Sequence, residues 1–203
     1  MNEPAITQTR GDLPDETLAE LAVRGAGRAR GDAFEALYRR HVDRVFGYCF
    51  RLLGSRELAE DATSDVFMAV MQGLERYRPM NGKSFRSWLF TIAHHVAVDH
   101  RTERSRDSAR TAPLDPNQPD STASPFDLAA ASDEGRWIRA TLSHLSGRER
   151  EVLELDLAGL TTREIGFVLG LTDAAVYTAR SRALVTLRDH LTGRAASGGG
   201  QCD

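Results

Sequence analysis

Apolar residues recur by threes and fours along most of the chain. Between residues 33 and 53, Phe34, Leu37, Tyr38, His41, Val42, Val45, Phe46, Cys49, Leu52 and Leu53 fall on one helical face, because 3.6 residues complete a turn. A weaker helical pattern precedes them from Glu16. Gly54 stops the helix, and Ser55 is placed to cap the next one. That helix runs to about Tyr77, with Leu58, Ala62, Val66, Ala69, Val70 and Leu74 inward. Pro79, Asn81 and Gly82 mark a loop. A third helix starts near Ser84 with the apolar stripe Phe85, Trp88, Leu89, Ile92 and Val96, and ends in the charged stretch 99–110. No segment alternates apolar and polar residues as a half-buried strand would.

The pattern breaks over 107–134. Four of the seven prolines fall there (Pro113, Pro116, Pro119, Pro125), together with Asp107, Asp115, Asp120, Asp127, Asp133 and Glu134. This composition predicts an acidic, extended linker. Helical signals then resume. Ser146 and Glu149 form a capping box, in which each side chain satisfies the other residue's backbone N–H. The helix they open carries Val152, Leu153 and Leu155, and Ala158-Gly159-Leu160 breaks it. Thr161 and Glu164 form a second box before Ile165, Val168 and Leu169, which Gly170 ends. Thr172 can cap a last helix carrying Ala175, Val176, Ala179, Ala183, Leu184 and Leu187. The expected architecture is all-α: a disordered stretch 1–15, a helical domain 16–106, the linker 107–134, a second small helical domain 135–192 and a flexible tail 193–203.

Two short helices around Gly170-Leu171-Thr172, with apolar residues at 165, 168, 169, 171 and 176, make a helix-turn-helix pattern. The tight turn needs the left-handed backbone that glycine allows. Such a unit enters the major groove with the N-terminal residues of its second helix. Asp173, Ala174, Tyr177, Thr178 and Ser181 are the exposed candidates there, with Arg180 and Arg182 nearby. From Ala174 to Arg194 there are four arginines against one aspartate. An ordinary helical hairpin would show the same apolar spacing. In the first domain, aromatic and basic residues interleave over Phe85–Arg101, a composition suited to single-stranded nucleic acid. Phe85, Trp88 and Ile92 share the apolar stripe and are expected in the core, leaving the basic residues and the preceding loop as contacts.

Charge and chemistry narrow the function classes. The chain has 203 residues and a net charge of −3, whereas a protein that grips duplex DNA alone is usually basic. The basic residues must be segregated, or a larger partner must supply much of the electrostatic attraction. His94, His95 and His100 lack metal-ligand spacing on a helix, so no metal or other cofactor is expected. Neither a Ser-His-Asp combination nor a glycine-rich phosphate loop is present, so a non-enzymatic role is expected. Cys49 and Cys202 have no neighbouring cysteine, which fits one core thiol and one loose thiol in a reducing cytoplasm. No apolar run approaches a membrane span, and the N-terminus lacks the apolar core of a signal peptide.

Three stretches, in order, resemble bacterial RNA polymerase sigma factors of the extracytoplasmic-function (ECF) class: residues 31–70, residues 85–101 and residues 142–188. The first two are similar to sigma region two, including its promoter-melting helix, and the third to region four. The resemblance implies binding to core RNA polymerase through Glu60, Asp61, Asp65, Val66 and Phe67. It implies capture of the melted minus-ten element by Asn81, Gly82, Lys83, Ser84, Arg86, His94, His95, Asp99 and Arg101. It implies reading of the minus-thirty-five duplex by Thr162, Arg163, Asp173, Ala174, Tyr177, Thr178, Arg180, Ser181 and Arg182. Core polymerase, promoter DNA as duplex and as single strand, and an anti-sigma factor are the implied partners. The chain departs from the family at His95, where asparagine is usual, at Thr102 and Glu103, where basic residues are common, and over Tyr177–Arg180. A stand-alone helix-turn-helix regulator is the alternative; it would need a ligand or receiver domain and a dimer to match paired half-sites.

Overall fold

Pro14, with its fixed φ, precedes the first helix, and Asp15 and Glu16 place negative charge against its positive N-terminal end. The computed structural model describes residues 13–78, 83–110, 142 and 144–197. Among these residues there is no strand, and the helices are α1 Asp15–Arg24, α2 Arg28–Leu53, α3 Arg56–Gly73, a 3-10 turn Leu74–Arg76, α4 Phe85–Arg110, α5 Gly147–Leu157, α6 Thr162–Leu169 and α7 Asp173–Ser197. They divide into two compact units: one is built on α1 through Arg101 of α4, the other on α5, the first turns of α6, and α7.

Several helices outrun their sequence patterns. α2 begins at Arg28 rather than at 33, since Arg and Ala propagate a helix well without contributing to an apolar face. α4 continues to Arg110, inside the segment expected as linker; the first breaker is Pro113, which disfavours helix in the residue before it. α7 continues through Gly193 to Ser197, inside the expected tail, because Ala195 and Ala196 are strong helix formers and the run of three glycines begins only at 198. α3 stops early instead. It ends at Gly73, where an added Cβ would lie 3.2 Å from Cζ2 of Trp88, and the chain tightens into the 3-10 turn.

In the first unit, α1 packs on α2 and α2 on α3. Leu18, Leu37, Val45, Tyr48, Cys49, Val66, Val70, Phe85, Leu89 and Phe90 are buried in its core. Each large apolar side chain so buried contributes about 1.5–3 kcal/mol before conformational entropy is counted. The buried face of α3 is rotated from the expected one: Ala59, Thr63 and Phe67 are buried, while Leu58 and Ala69 are half-buried. Thr63 tolerates burial because its hydroxyl donates to the carbonyl of Ala59 at 2.6 Å.

In the second unit α5 packs on α7. Leu145, Leu153 and Ala183 form a cluster lined by Leu142 and Leu187, and Val152, Leu155, Ile165 and Val176 are buried as well. Gly170 adopts φ 66°, the left-handed geometry the turn required. The Leu171 N–H then donates to the Gly166 carbonyl at 2.8 Å. An added Cβ on Gly166 would sit 2.7 Å from the Leu171 oxygen, so the turn needs two glycines. No helix among the described residues is long and apolar enough to cross a membrane.

Candidate nucleic-acid and polymerase interfaces

The start of α4 is held from three directions. Ser84 caps it: its hydroxyl oxygen accepts from the Ser87 N–H at 3.1 Å, while its carbonyl accepts from the Ser87 hydroxyl at 2.8 Å. The Phe85 N–H donates to Oε1 of Glu16 at 3.2 Å, which satisfies a donor that a helix's first turn leaves open. Glu16 belongs to α1, and α1 is tied to α2 by Asp15. The carboxylate of Asp15 pairs with the Arg40 guanidinium and takes Nε2 of the buried His41 at 2.8 Å. Burial alone would raise the Asp15 pKa; the hydrogen bonds and charges of His41 and Arg40 outweigh it and hold the carboxyl below its usual value. Tyr77, which packs edge-on against Phe85 with ring centroids 5.6 Å apart, is pushed up to about 12 by burial and by the nearby carboxylates of Glu16 and Asp15.

The residues expected at the minus-ten element separate along this helix. His95 and Asp99 are exposed, and Trp88 and Thr91, three or four residues apart on the same stripe, are half-buried. Trp88 packs on Tyr77 at 5.0 Å between ring centroids and still keeps a solvent-facing side. His94 turns toward α2, with Nδ1 2.9 Å from the Tyr48 hydroxyl. Arg86 is half-buried; Lys83 and Arg101 are exposed. Asn81 and Gly82 lie outside the described residues. The spacing 88, 91, 95, 99 was available in the sequence as a solvent stripe, but the aromatic at its head belonged to the apolar pattern and was assigned to the core.

The expected polymerase contacts on α3 also divide. Val66 is fully buried and Phe67 nearly so, its ring lying edge-on to Tyr38 with centroids 4.7 Å apart. Val66 builds the core beneath the surface, which corrects its place among the contacts, whereas Phe67 forms the floor of the groove on this face. Glu60 is exposed and bridged to Arg56 at 2.8 Å. Asp61 is exposed. Asp65 is half-exposed and takes Nε2 of His100 at 2.9 Å, joining α3 to α4. The apolar part of this face adds Met68 and Met71, which the sequence did not single out, to Tyr38, which its spacing placed on the inward face of α2. Tyr38, Met68 and Met71 are exposed, and with Phe34, Thr63, Ser64 and Phe67 they line a groove of about 240 Å³. Met68 and Met71 stand outside the Ala62–Val66–Val70 face, as its spacing implies, and the structure brings them beside Tyr38.

In the second unit both capping boxes form. Ser146 accepts from the Glu149 N–H at 3.3 Å and donates its own N–H to Glu149 at 3.0 Å. Thr161 does the same with Glu164, at 3.3 and 2.9 Å. Thr172 caps α7 by accepting from the Ala175 N–H at 3.3 Å. Asp173, Ala174, Tyr177, Thr178 and Arg182 are exposed and Ser181 is half-buried, on the side of α7 away from the buried Val176, Ala179 and Ala183. The Thr178 hydroxyl donates to the Ala174 carbonyl at 2.9 Å, so its lone pairs remain to accept from a base amine. Arg163 is exposed. Arg180 does not share this arc: its guanidinium meets Asp156 at 2.6 Å and Thr162 at 3.1 Å.

Cys49 is buried, and burial, only partly offset by a hydrogen bond to Thr63, raises its pKa to about 11, which keeps it a thiol. Among the described residues no three His, Cys, Asp or Glu side chains gather as a metal site.

Known proteins match the same two units. Sigma-70 region 2 matches residues 37–107, and sigma-70 region 4 matches residues 135–187. The ECF RNA polymerase sigma factor ShbA of Streptomyces griseus is 34% identical over 176 residues, spanning 84% of this chain and 92% of that protein. The solved structure of CnrH, in complex with the cytosolic domain of CnrY, aligns with a TM-score of 0.64 and 26% identity over 88% of this chain and 97% of that one. The structure of the sigma factor RpoE with the anti-sigma factor NepR from Bartonella quintana shares the fold, at a TM-score of 0.59 and 20% identity over 78% of this chain and 96% of that one. With both sigma regions in order on one helical chain, and with a relative this similar along nearly its whole length, the chain belongs to the ECF family of RNA polymerase sigma factors.

Proposed function

We infer that the two units serve one promoter. The chain binds core RNA polymerase, directs it to promoters and helps open the duplex, and it makes or breaks no covalent bond itself. The acidic face of Glu60, Asp61 and Asp65 beside the groove at Tyr38, Met68 and Met71 is the polymerase-docking surface: charge gives register and apolar area gives affinity. Lys83, Ser84, Trp88, Thr91, His95 and Asp99 receive the minus-ten strand, together with Asn81 and Gly82, which precede them in the sequence. Unstacking and extruding a base costs a few kcal/mol, so the strand must be met by a surface already in place, and the Glu16 and Ser84 caps support that. Thr162, Arg163, Asp173, Ala174, Tyr177, Thr178, Ser181 and Arg182 meet the minus-thirty-five duplex.

Neither DNA contact has to be strong alone. Joining two weak sites through a tether makes the second contact intramolecular and raises overall affinity. The net charge of −3 fits a subunit whose hold on DNA is completed by the polymerase. The setting is the cytoplasm, where polymerase and chromosome meet. An anti-sigma factor is the expected inhibitor, in line with the partner bound to RpoE of Bartonella quintana.

The observation that carries this reading is the presence, on one chain, of a well-capped helix-turn-helix and a separate helical unit that combines an apolar groove beside an acidic face with a solvent-reaching stripe headed by the half-buried Trp88. Gel filtration with core polymerase tests it. The wild-type chain co-elutes with core, and Asp61→Arg, which places a charge of opposite sign on an exposed position, weakens core binding by about tenfold or more while leaving helix content unchanged. Equal co-elution of the variant would remove the docking surface from this account.

A further inference from the structure

Arg180 was expected against DNA, and its position on α7 argues for a different role. It lies between the solvent arc of Ala174, Tyr177, Thr178 and Ser181 and the core positions Val176, Ala179 and Ala183. Nη2 meets Oδ1 of Asp156 at 2.6 Å, and Nη1 donates to Oγ1 of Thr162 at 3.1 Å. Asp156 lies in the last turn of α5, and Thr162 is the first residue of α6. One planar guanidinium on α7 therefore holds two other helices, joining three. The two side chains of the ion pair are 23% and 35% exposed, so water screens the pair only in part. Nε is buried without a hydrogen-bond partner.

A rigid fork of this kind holds direction as well as charge, which a lysine in the same place would not. We propose that the Arg180–Asp156–Thr162 clasp sets the angle at which α7 is presented to the promoter duplex, so that Arg180 is a positioning residue for sequence reading and not a phosphate contact. The clasp also neutralises a carboxylate beside the N-terminus of α6. Unpaired, Asp156 would compete with a DNA phosphate for that positive helix end. Removing either partner breaks the same contact, so the loss of alignment acts on DNA recognition in the same direction for both, and the competing charge adds to it only when Arg180 is the one removed. This inference rests on the promoter-reading assignment above.

The experiment uses the full chain as holoenzyme with core polymerase. Arg180→Met, Asp156→Asn, the double variant and the exchanged pair (Asp156→Arg with Arg180→Asp) are compared with wild type for promoter binding across a salt series and across single-base changes in the upstream element. Each single variant is expected to lose about tenfold in promoter affinity, the scale of one misaligned base contact. The double variant should be no worse than either single one, discrimination at the upstream bases should flatten, and the slope of log affinity against log salt should change by less than one. The exchanged pair should recover part of the loss. Two results would overturn the proposal. If Asp156→Asn binds tighter than wild type and Arg180→Met lowers the salt slope by about one, Arg180 is a phosphate contact that Asp156 restrains. If only the melting temperature falls while base discrimination stays intact, the clasp is a stabilising strut. A wild-type holoenzyme that selects no promoter would overturn the promoter reading itself, and it would be recognised before any variant is compared.

Discussion

The two units solve the same problem, presenting a helix to DNA, by opposite means. In the second unit the helix starts are set by contacts close along the chain, Ser146 with Glu149, Thr161 with Glu164 and Thr172 with Ala175, and the clasp of Arg180 on Asp156 and Thr162 spans 24 and 18 residues. In the first, α4 is placed by contacts far along the chain. Glu16 reaches Phe85, Tyr48 reaches His94 and Asp65 reaches His100, across 69, 46 and 35 residues. Asp15, which anchors α1 through Arg40 and His41, spans 25 and 26. A helix that reads intact duplex can be held by its own turn and one clasp to its neighbours. A helix that must hold a strand against reannealing benefits from being fixed to the rest of its unit, and buried polar contacts do that because leaving one unmade is costly.

This difference predicts where stability resides. The largest effect should come from Asp15→Ala, which leaves the buried His41 and the half-buried Arg40 without their carboxylate. The expected cost is about 3 kcal/mol, the low end for breaking a buried ion pair. Amide hydrogen exchange should show it in α1, α2 and the start of α4 and not in the second unit; protection lost equally in both units would erase the distinction. The same group gives a pH dependence. Its folded-state pKa is below the usual 3.8, so its contribution is complete above that range and is lost as pH falls through the lowered value. Acid titration of Asp15→Asn should be flatter than that of wild type over this window.

Gly166→Ala should have the next largest effect, about 2 kcal/mol for a methyl forced against backbone, since its Cβ would lie 2.7 Å from the Leu171 carbonyl oxygen. The loss should be confined to the second unit. An unshifted urea midpoint for that unit would mean the turn relaxes freely. At the small end, Glu35→Gln breaks an exposed pair with Arg39 on α2, whose side chains are 77% and 56% exposed. It should change stability by about 0.3 kcal/mol; a loss near that of Asp15→Ala would show that burial is not what separates these contacts.

The contrast also explains what could be read from the sequence. Caps and turns were legible because donor and acceptor lie within three residues: Ser55, Ser146, Thr161, Gly170 and Thr172 each do what their spacing implies. The all-α architecture and the two-unit order were legible from apolar spacing and from the proline-rich interruption. Glu16 was not, because nothing near it in sequence shows that it will meet the backbone of Phe85. The burial of Thr63 and Phe67, which the apolar spacing of α3 did not place inward, depends on how α2 packs against it. Arg180 was recognised as out of pattern, but its partner Asp156 lies 24 positions earlier, on another helix. Gly166 carries no signal of its own in the sequence, because the Leu171 carbonyl that crowds it is brought there only by the turn at Gly170.

The most direct test of the central claim is run-off transcription by core polymerase on fragmented DNA from the organism that encodes the chain, with and without the protein, scored by mapping RNA 5′ ends. The account predicts a limited set of new start sites, each preceded by two short shared elements at a fixed spacing. The same distribution of ends with and without the protein, from a preparation in which another sigma factor does direct initiation, would contradict it.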